Sequence, residues 1–171
     1  MSGNRISQTT RKWLLSLHLL FSGILLGCTV VIVILSITAL TTASSDTLRS
    51  CYQVMNIVAG SSIRVSSIGM VVTGVLLSVW THWGLFRYYW LIYKQVMTLA
   101  SIGVGIIGFY MWSMKGIELV ESVGLDAVHS SAYVINAQQL WVGLIFQVIS
   151  LVSMFVISVF KPWGRRVPRI Q

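Results

Sequence analysis

The chain has 171 residues, of which 56% are hydrophobic and 9% charged, and its formal net charge is +8. Soluble domains carry about 25% charged residues, so this chain cannot cover a globular surface with solvated groups. The composition therefore excludes an ordinary soluble domain. Nucleic acid is not expected as a partner either, because the basic residues lie at the ends of apolar runs rather than on one soluble face.

Long apolar runs predict transmembrane helices, since about 20 apolar residues are needed to cross roughly 30 Å of hydrocarbon. Backbone groups in lipid must be satisfied within their own segment, which favours helices over open strands. The runs cover residues 13–40, 56–80, 89–112 and 136–160. We predict an all-α, antiparallel four-transmembrane-helix bundle that forms a single domain over residues 1–171.

The distribution of charge predicts the orientation of the bundle. All four acidic residues fall on one side of the predicted spans, and most basic residues fall on the side that carries both termini. Cytoplasmic segments are enriched in lysine and arginine, so both termini are expected in the cytoplasm. We expect a multi-pass protein whose helices contact the lipid bilayer. Its location would be the plasma membrane, which in a bacterium is the inner membrane. A homo-oligomer or a larger membrane complex is a further possibility.

The first predicted helix contains Gly23 and Gly27 at GxxxG spacing. Glycines at this spacing allow two helices to approach closely. We expect the two glycines to allow close helix packing within one chain rather than to form a dimer interface between two copies.

The fourth predicted helix carries polar and small residues at helical spacing, which places them on one face. Because an amide exposed to lipid is costly, this face should point into the bundle. Hydrogen bonding between helices is the favoured interpretation, and the lining of a polar cavity is the alternative. The residues are Asn136, Gln139, Gly143, Gln147 and Ser150.

Arg64 is a charged residue within the second apolar run. Ionisable residues at such positions are candidates for a functional role. We expect its guanidinium to pair with one of the acids Glu118, Glu121 and Asp126, or to bond the amides of Asn136 and Gln139. An anion site in a polar cavity is the alternative.

His18 and Lys94 lie at similar depths in the first and third runs. At 1.5 Å per residue, His18 is about 10 Å from Arg11, and Lys94 is about 9 Å from Tyr88. His18 is either a neutral packing histidine, a proton carrier, or a ligand of haem iron or another metal. Lys94 either extends its ammonium to the interface or pairs with an anionic ligand group, because no acid is available on this side.

The short segment between the second and third runs contains His82 and Arg87. His82 is expected at the membrane interface. If a haem is bound at His18, His82 is the candidate for the second axial ligand. Arg87, Arg11 or Lys12 would then lie near the propionates.

Three stretches of the chain resemble a known type of membrane protein. They are the ten residues from His18, reading His-Leu-Leu-Phe-Ser-Gly-Ile-Leu-Leu-Gly, the segment from Trp83 to Lys94, and the closing Lys161-Pro-Trp-Gly. They resemble an uncharacterised bacterial family of small four-helix membrane proteins. That family is distantly similar to the membrane domain of copper-resistance protein D and to the HemJ-type protoporphyrinogen oxidase.

The HemJ-type proteins are haem-associated, and the resemblance implies that His18, Arg87 and Lys94 take the positions of their important histidine, arginine and lysine. The present chain lacks the second histidine and the aromatic-rich stretch of that pattern at the end of the first helix. The resemblance therefore implies binding of haem b more than protoporphyrinogen oxidation.

We expect an integral membrane protein that binds haem or another tetrapyrrole and has a redox role. One alternative is a non-catalytic accessory or structural membrane subunit. The other is a transporter of a small anion or a metal that uses Arg64 and the polar face of the fourth helix. Because the chain contains no GxSxG, HExxH or P-loop motif, the sequence leaves open whether the protein is an enzyme.

Overall fold

The computed structural model describes residues 6–80 and 84–164, and within these ranges the chain is almost wholly helical. Four of its helices are long and apolar enough to cross a membrane. This confirms the predicted all-α class and the number of apolar helices. The helices are α1 (Gln8–Thr41), α2 (Ser45–Trp80), α3 (Tyr89–His129) and α4 (Ser131–Phe160).

Serine caps and backbone turns set the ends of the helices. The hydroxyls of Ser7, Ser44 and Ser130 each accept a hydrogen bond from a backbone N–H three residues later, as N-caps do. At the other end of α4, Lys161 adopts a left-handed conformation and is followed by a proline, which cannot continue the helix. Gly124 has a φ of 63° and begins the final 3₁₀ turn of α3.

The helices form an antiparallel bundle in which each packs on the next in the chain, and α4 also packs on α1. The charges distinguish its two ends. The acidic end, at the junctions of α1 with α2 and of α3 with α4, carries all four acids of the sequence: Asp46, Glu118, Glu121 and Asp126. The opposite, basic end carries Arg11, Lys12, Arg87, Lys94 and Lys161.

Two of the helices contain a π-helical segment, Ala59–Ile63 in α2 and Gly103–Gly108 in α3. The segments adjoin, because a Cβ on Gly105 would lie 3.3 Å from the side chain of Ile63. From this level to the acidic end, α2 and α3 pack closely. Toward the basic end, a cavity lies between them.

At the acidic end, the helices extend beyond the spans that were predicted from the apolar runs. Residues 45–55 and most of residues 113–135 were expected to connect the spans, but they are helical. The segment Ser45–Val58 is amphipathic and buries Leu48, Tyr52 and Met55. Its partner is the second half of α3, where a Cβ on Gly116 would overlap the Tyr52 ring. A search for continuous apolar runs misses such a segment, because only one of its faces is apolar.

The GxxxG pair of α1 does not serve packing within the bundle, so that expectation is wrong. A Cβ added to Gly23 or Gly27 would meet no atom of the described residues within 4 Å. Close packing of α1 on α2 is achieved instead by a glycine of α2. A Cβ on Gly69 would lie 2.6 Å from the Phe21 ring, so the ring fills the space that a larger residue would need.

Candidate functional site

A cavity of about 700 Å³ lies at the basic end and is lined by all four helices. Sites for small molecules and cofactors typically measure about 300–1,000 Å³. The lining is mainly apolar, with few polar groups. It includes His18, Met70, Trp90, Lys94, Thr98 and Met154.

The imidazole of His18 is held by the backbone of α2. Its Nδ1 atom lies 3.1 Å from the carbonyl oxygen of Met70 and 3.0 Å from the hydroxyl oxygen of Thr73. A carbonyl can only accept, so Nδ1 carries the hydrogen and donates it. In the neutral ring, Nε2 then keeps its lone pair, and it has no hydrogen-bond partner among residues 6–80 and 84–164. Metal-binding histidines are commonly oriented in this way, with the second ring nitrogen donating to a carbonyl.

Packing also fixes the position of the histidine ring. A Cβ on Gly74 of α2 would lie 3.2 Å from His18 Cε1, so the absence of a side chain at residue 74 makes room for the ring. On the same helix as the histidine, the hydroxyl of Ser22 donates to the His18 carbonyl over 2.7 Å. The ring is therefore placed by both helices rather than by a loop.

Lys94 reaches the cavity from α3. Its Nζ atom donates to the hydroxyl oxygen of Ser158 over 2.8 Å, and that hydroxyl donates to the Met154 carbonyl over 2.6 Å. Arg11 and Lys161 also line the cavity. Every acidic side chain of the sequence lies at the other end of the bundle, so no Asp or Glu lies beside Lys94 or Arg11. The cavity is thus suited to an amphipathic ligand with anionic groups.

Several polar groups of this cavity were not predicted from the sequence. Thr98 donates to the sulfur of Met154 over 3.4 Å, and Gln95 donates to the Leu85 carbonyl over 2.8 Å. A signal for Thr98 was present, because it lies four residues after Lys94 and therefore on the same helical face.

Two further residues of the predicted haem site have different outcomes. His82 is outside the described residues, so its role as a second axial ligand stays a prediction. Arg87 is exposed in the segment between α2 and α3 and does not line the cavity.

Arg64 does not make the contacts predicted for it. It is exposed, and its guanidinium lies 5.6 Å from the centroid of the Tyr110 ring. Two of the three acids expected to bind it are engaged by other cations: Glu121 by Arg49 at 2.6 Å, and Glu118 by Lys115 at 3.1 Å.

The polar face of α4 is buried, with one exception. Asn136, Gln147 and Ser150 are at most 4% exposed, and the Asn136 amide donates to the Trp112 carbonyl over 2.9 Å. Gln139 is exposed. At 3.6 residues per turn it lies about 60° from Asn136 around the helix, at the edge of the face.

The four polar cavity candidates do not line one common cavity. Asn136 and Gln139 line a groove of about 660 Å³ beside α3, together with Tyr110. Arg64 and Gln147 are not among the residues that line it.

No three His, Cys, Asp or Glu side chains come together in the part of the chain that the structure describes. His18 is a single potential ligand. One histidine is nevertheless sufficient for an iron whose other ligands come from a macrocycle. The donor set of the cavity therefore fits haem better than a free metal ion.

No family model matches the chain, and no curated protein and no solved structure matches it. The fold and the site together define an all-helical protein of four long apolar helices with a histidine- and lysine-bearing cavity at its basic end.

Proposed function

We propose that the protein is an integral membrane protein that binds haem or a closely related tetrapyrrole in the basic-end cavity, where His18 would hold the iron. The observation that carries this proposal is the hydrogen bond from His18 Nδ1 to the Met70 carbonyl. It leaves the lone pair of Nε2 available on a residue that lines a cavity of about 700 Å³.

Charge and polarity support a tetrapyrrole over a purely apolar ligand. Haem combines a large apolar ring with carboxylate side chains. The apolar walls would contact the ring and exclude water, while Lys94 and Arg11 would pair with the carboxylates. A bound haem would supply a one-electron redox centre, and the chain itself would supply its orientation and electrostatic environment.

The proposal includes insertion in the membrane. Its support is the length and hydropathy of the four helices. The excess of lysine and arginine at the end that bears the termini favours a cytoplasmic location for that end. The acidic end would then face the outside of the plasma membrane.

The two alternative functions are less well supported. A transporter was expected to use Arg64 and the polar face of α4. Arg64 lines neither cavity, and most of that face is buried against α3. An accessory subunit with only packing roles would not require a cationic cavity at the level of His18.

The proposal is tested by titrating haemin into the protein purified in detergent and recording the visible absorption spectrum. We expect a saturable, red-shifted Soret band at one haem per chain. Spectra that equal the sum of haemin in detergent and the protein alone would refute haem binding.

A further inference from the structure

Three polar atoms are buried between α3 and α4 without a hydrogen-bond partner among the described residues. They are Ser101 Oγ, Gln147 Oε1 and Ser150 Oγ. Their residues are 2%, 1% and 0% exposed. Buried polar atoms without partners are rare in proteins because each has lost its hydrogen bonds to water.

The pairing of α3 with α4 places the three atoms at one level of the bundle. On one side of this level, Thr98 contacts Met154. On the other side, the Gln147 amide nitrogen lies 3.8 Å from the position of a Cβ on Gly105. Ser101 lies on α3 between the residues that make these two contacts, Thr98 and Gly105.

The facing stretch of α4, about two turns from Gln147 to Met154, includes Ser150. Gln147 and Ser150 are three residues apart, so they share a face of the helix. Ser101 and this pair therefore face one another across the helix interface, next to the π-helical segment Gly103–Gly108.

The two serines, like Ser36 of α1, differ from several other buried hydroxyls of the protein. Ser22, Thr29 and Ser113 donate to the carbonyl four residues earlier, over 2.7–2.9 Å. Such a bond satisfies a hydroxyl in an apolar helix without any outside partner. Ser101 and Ser150 make no such bond, so their hydroxyls remain available to a molecule between the helices.

We propose that Ser101, Gln147 and Ser150 form a hydration site that holds ordered water in the middle of the bundle. Water suits this set because it can donate to the amide oxygen and also exchange hydrogen bonds with both hydroxyls. A set of uncharged groups in a strongly basic protein gives a cation no compensating charge.

The hydration site lies one helical turn from the cavity that contains Lys94. Leu151, adjacent to Ser150, lines that cavity. The next hydroxyl along α4, Ser153, is 3.1 Å from the Tyr93 hydroxyl and donates to the Ser150 carbonyl. The site thus extends the polar groups of the cavity toward the centre of the bundle. This inference does not rest on haem binding.

The test compares the thermal unfolding midpoints of Ser101→Ala, Ser150→Ala and the double variant in detergent. If the serines share water, each single change lowers the midpoint, and the double change lowers it by less than the sum of the two. If the hydroxyls have no partner, alanine removes a destabilising group and each single change raises the midpoint, which would overturn the proposal. The exposed Ser122→Ala is the control and should leave the midpoint unchanged.

A second measurement separates water from a bound cation. The midpoint of the wild-type protein is compared in sodium chloride and in choline chloride at equal ionic strength. We expect equal midpoints. A higher midpoint in sodium that disappears in Ser150→Ala would replace water by a sodium ion and overturn the proposal as stated.

Discussion

The Nδ1 atom of His18 lies 3.1 Å from the carbonyl oxygen of Met70, so a backbone group of α2 determines which ring nitrogen on α1 keeps its lone pair. Both residues line the same cavity as Lys94 of α3. The proposed function depends on this arrangement. Substitutions that alter the histidine and the lysine should therefore change porphyrin binding in different ways.

Gly74→Ala should weaken haemin binding without weakening the binding of iron-free protoporphyrin. The added Cβ would lie 3.2 Å from His18 Cε1, so the ring must shift and the iron bond is disturbed directly, whereas the cavity wall, to which Gly74 belongs, gains only one methyl group. We expect about a tenfold loss in haemin affinity, equivalent to ~1.4 kcal/mol, in an absorbance titration.

Gly23→Ala is the matched control for this change, because its Cβ would meet nothing within 4 Å in the described part of the chain. Equal losses for haemin and for protoporphyrin in Gly74→Ala would contradict a direct effect on the iron ligand.

Lys94→Met should reduce the affinity for porphyrins that carry free carboxylates. A charge-assisted hydrogen bond contributes about 1.5–3 kcal/mol, so we expect a loss of tenfold or more for haemin. The dimethyl ester of haemin should bind the variant and the wild type equally well. Lys115→Met, at the acidic end, is the control and should leave both affinities unchanged. A similar loss for haemin and its ester would mean that Lys94 acts through packing.

The sequence was sufficient to predict the four helices, because an apolar run long enough to cross a bilayer is rare outside transmembrane helices. It also singled out His18 and Lys94, since ionisable groups are conspicuous in such runs. The acceptor for His18 could not be predicted, because it is a backbone carbonyl and any residue at position 70 would supply one.

The environment of Arg64 could not be predicted for a different reason. It directly follows the π-helical segment Ala59–Ile63, which adds residues to the helical turn. Nothing in the sequence marks this segment, so the side of the helix on which Arg64 lies could not be assigned in advance. In the structure, Arg64 is exposed beside Tyr110.

Gly116→Ala should destabilise the bundle, whereas Gly23→Ala should not. A Cβ on Gly116 overlaps the buried Tyr52 ring, and overpacking of this kind costs about 1–3 kcal/mol. Gly23 has open space, so alanine should be neutral or should stabilise the helix by up to ~1 kcal/mol. The measurement is unfolding in detergent with increasing sodium dodecyl sulfate. Equal midpoints for the two variants would contradict the packing of α2 on α3.

Single cysteines should reveal the orientation of the bundle. In a background with Cys28→Ala and Cys51→Ala, a membrane-impermeant maleimide applied to intact cells should label Asp126→Cys. It should label Thr9→Cys only after the membrane is permeabilised. Both positions are exposed in the structure, so accessibility within the bundle does not limit the reaction. The reverse pattern would contradict the proposed location of the termini.

The central claim is tested most directly by comparing the haemin affinities of His18→Ala and His129→Ala. The two variants lose the same side chain, but His129 is exposed at the acidic end, far from the cavity. We predict that His129→Ala gives the wild-type Soret band and affinity, and that His18→Ala loses the red-shifted band or binds haemin at least a hundredfold more weakly, a difference of ~2.7 kcal/mol. Wild-type spectra and affinity in His18→Ala would contradict the assignment of His18 as the iron ligand.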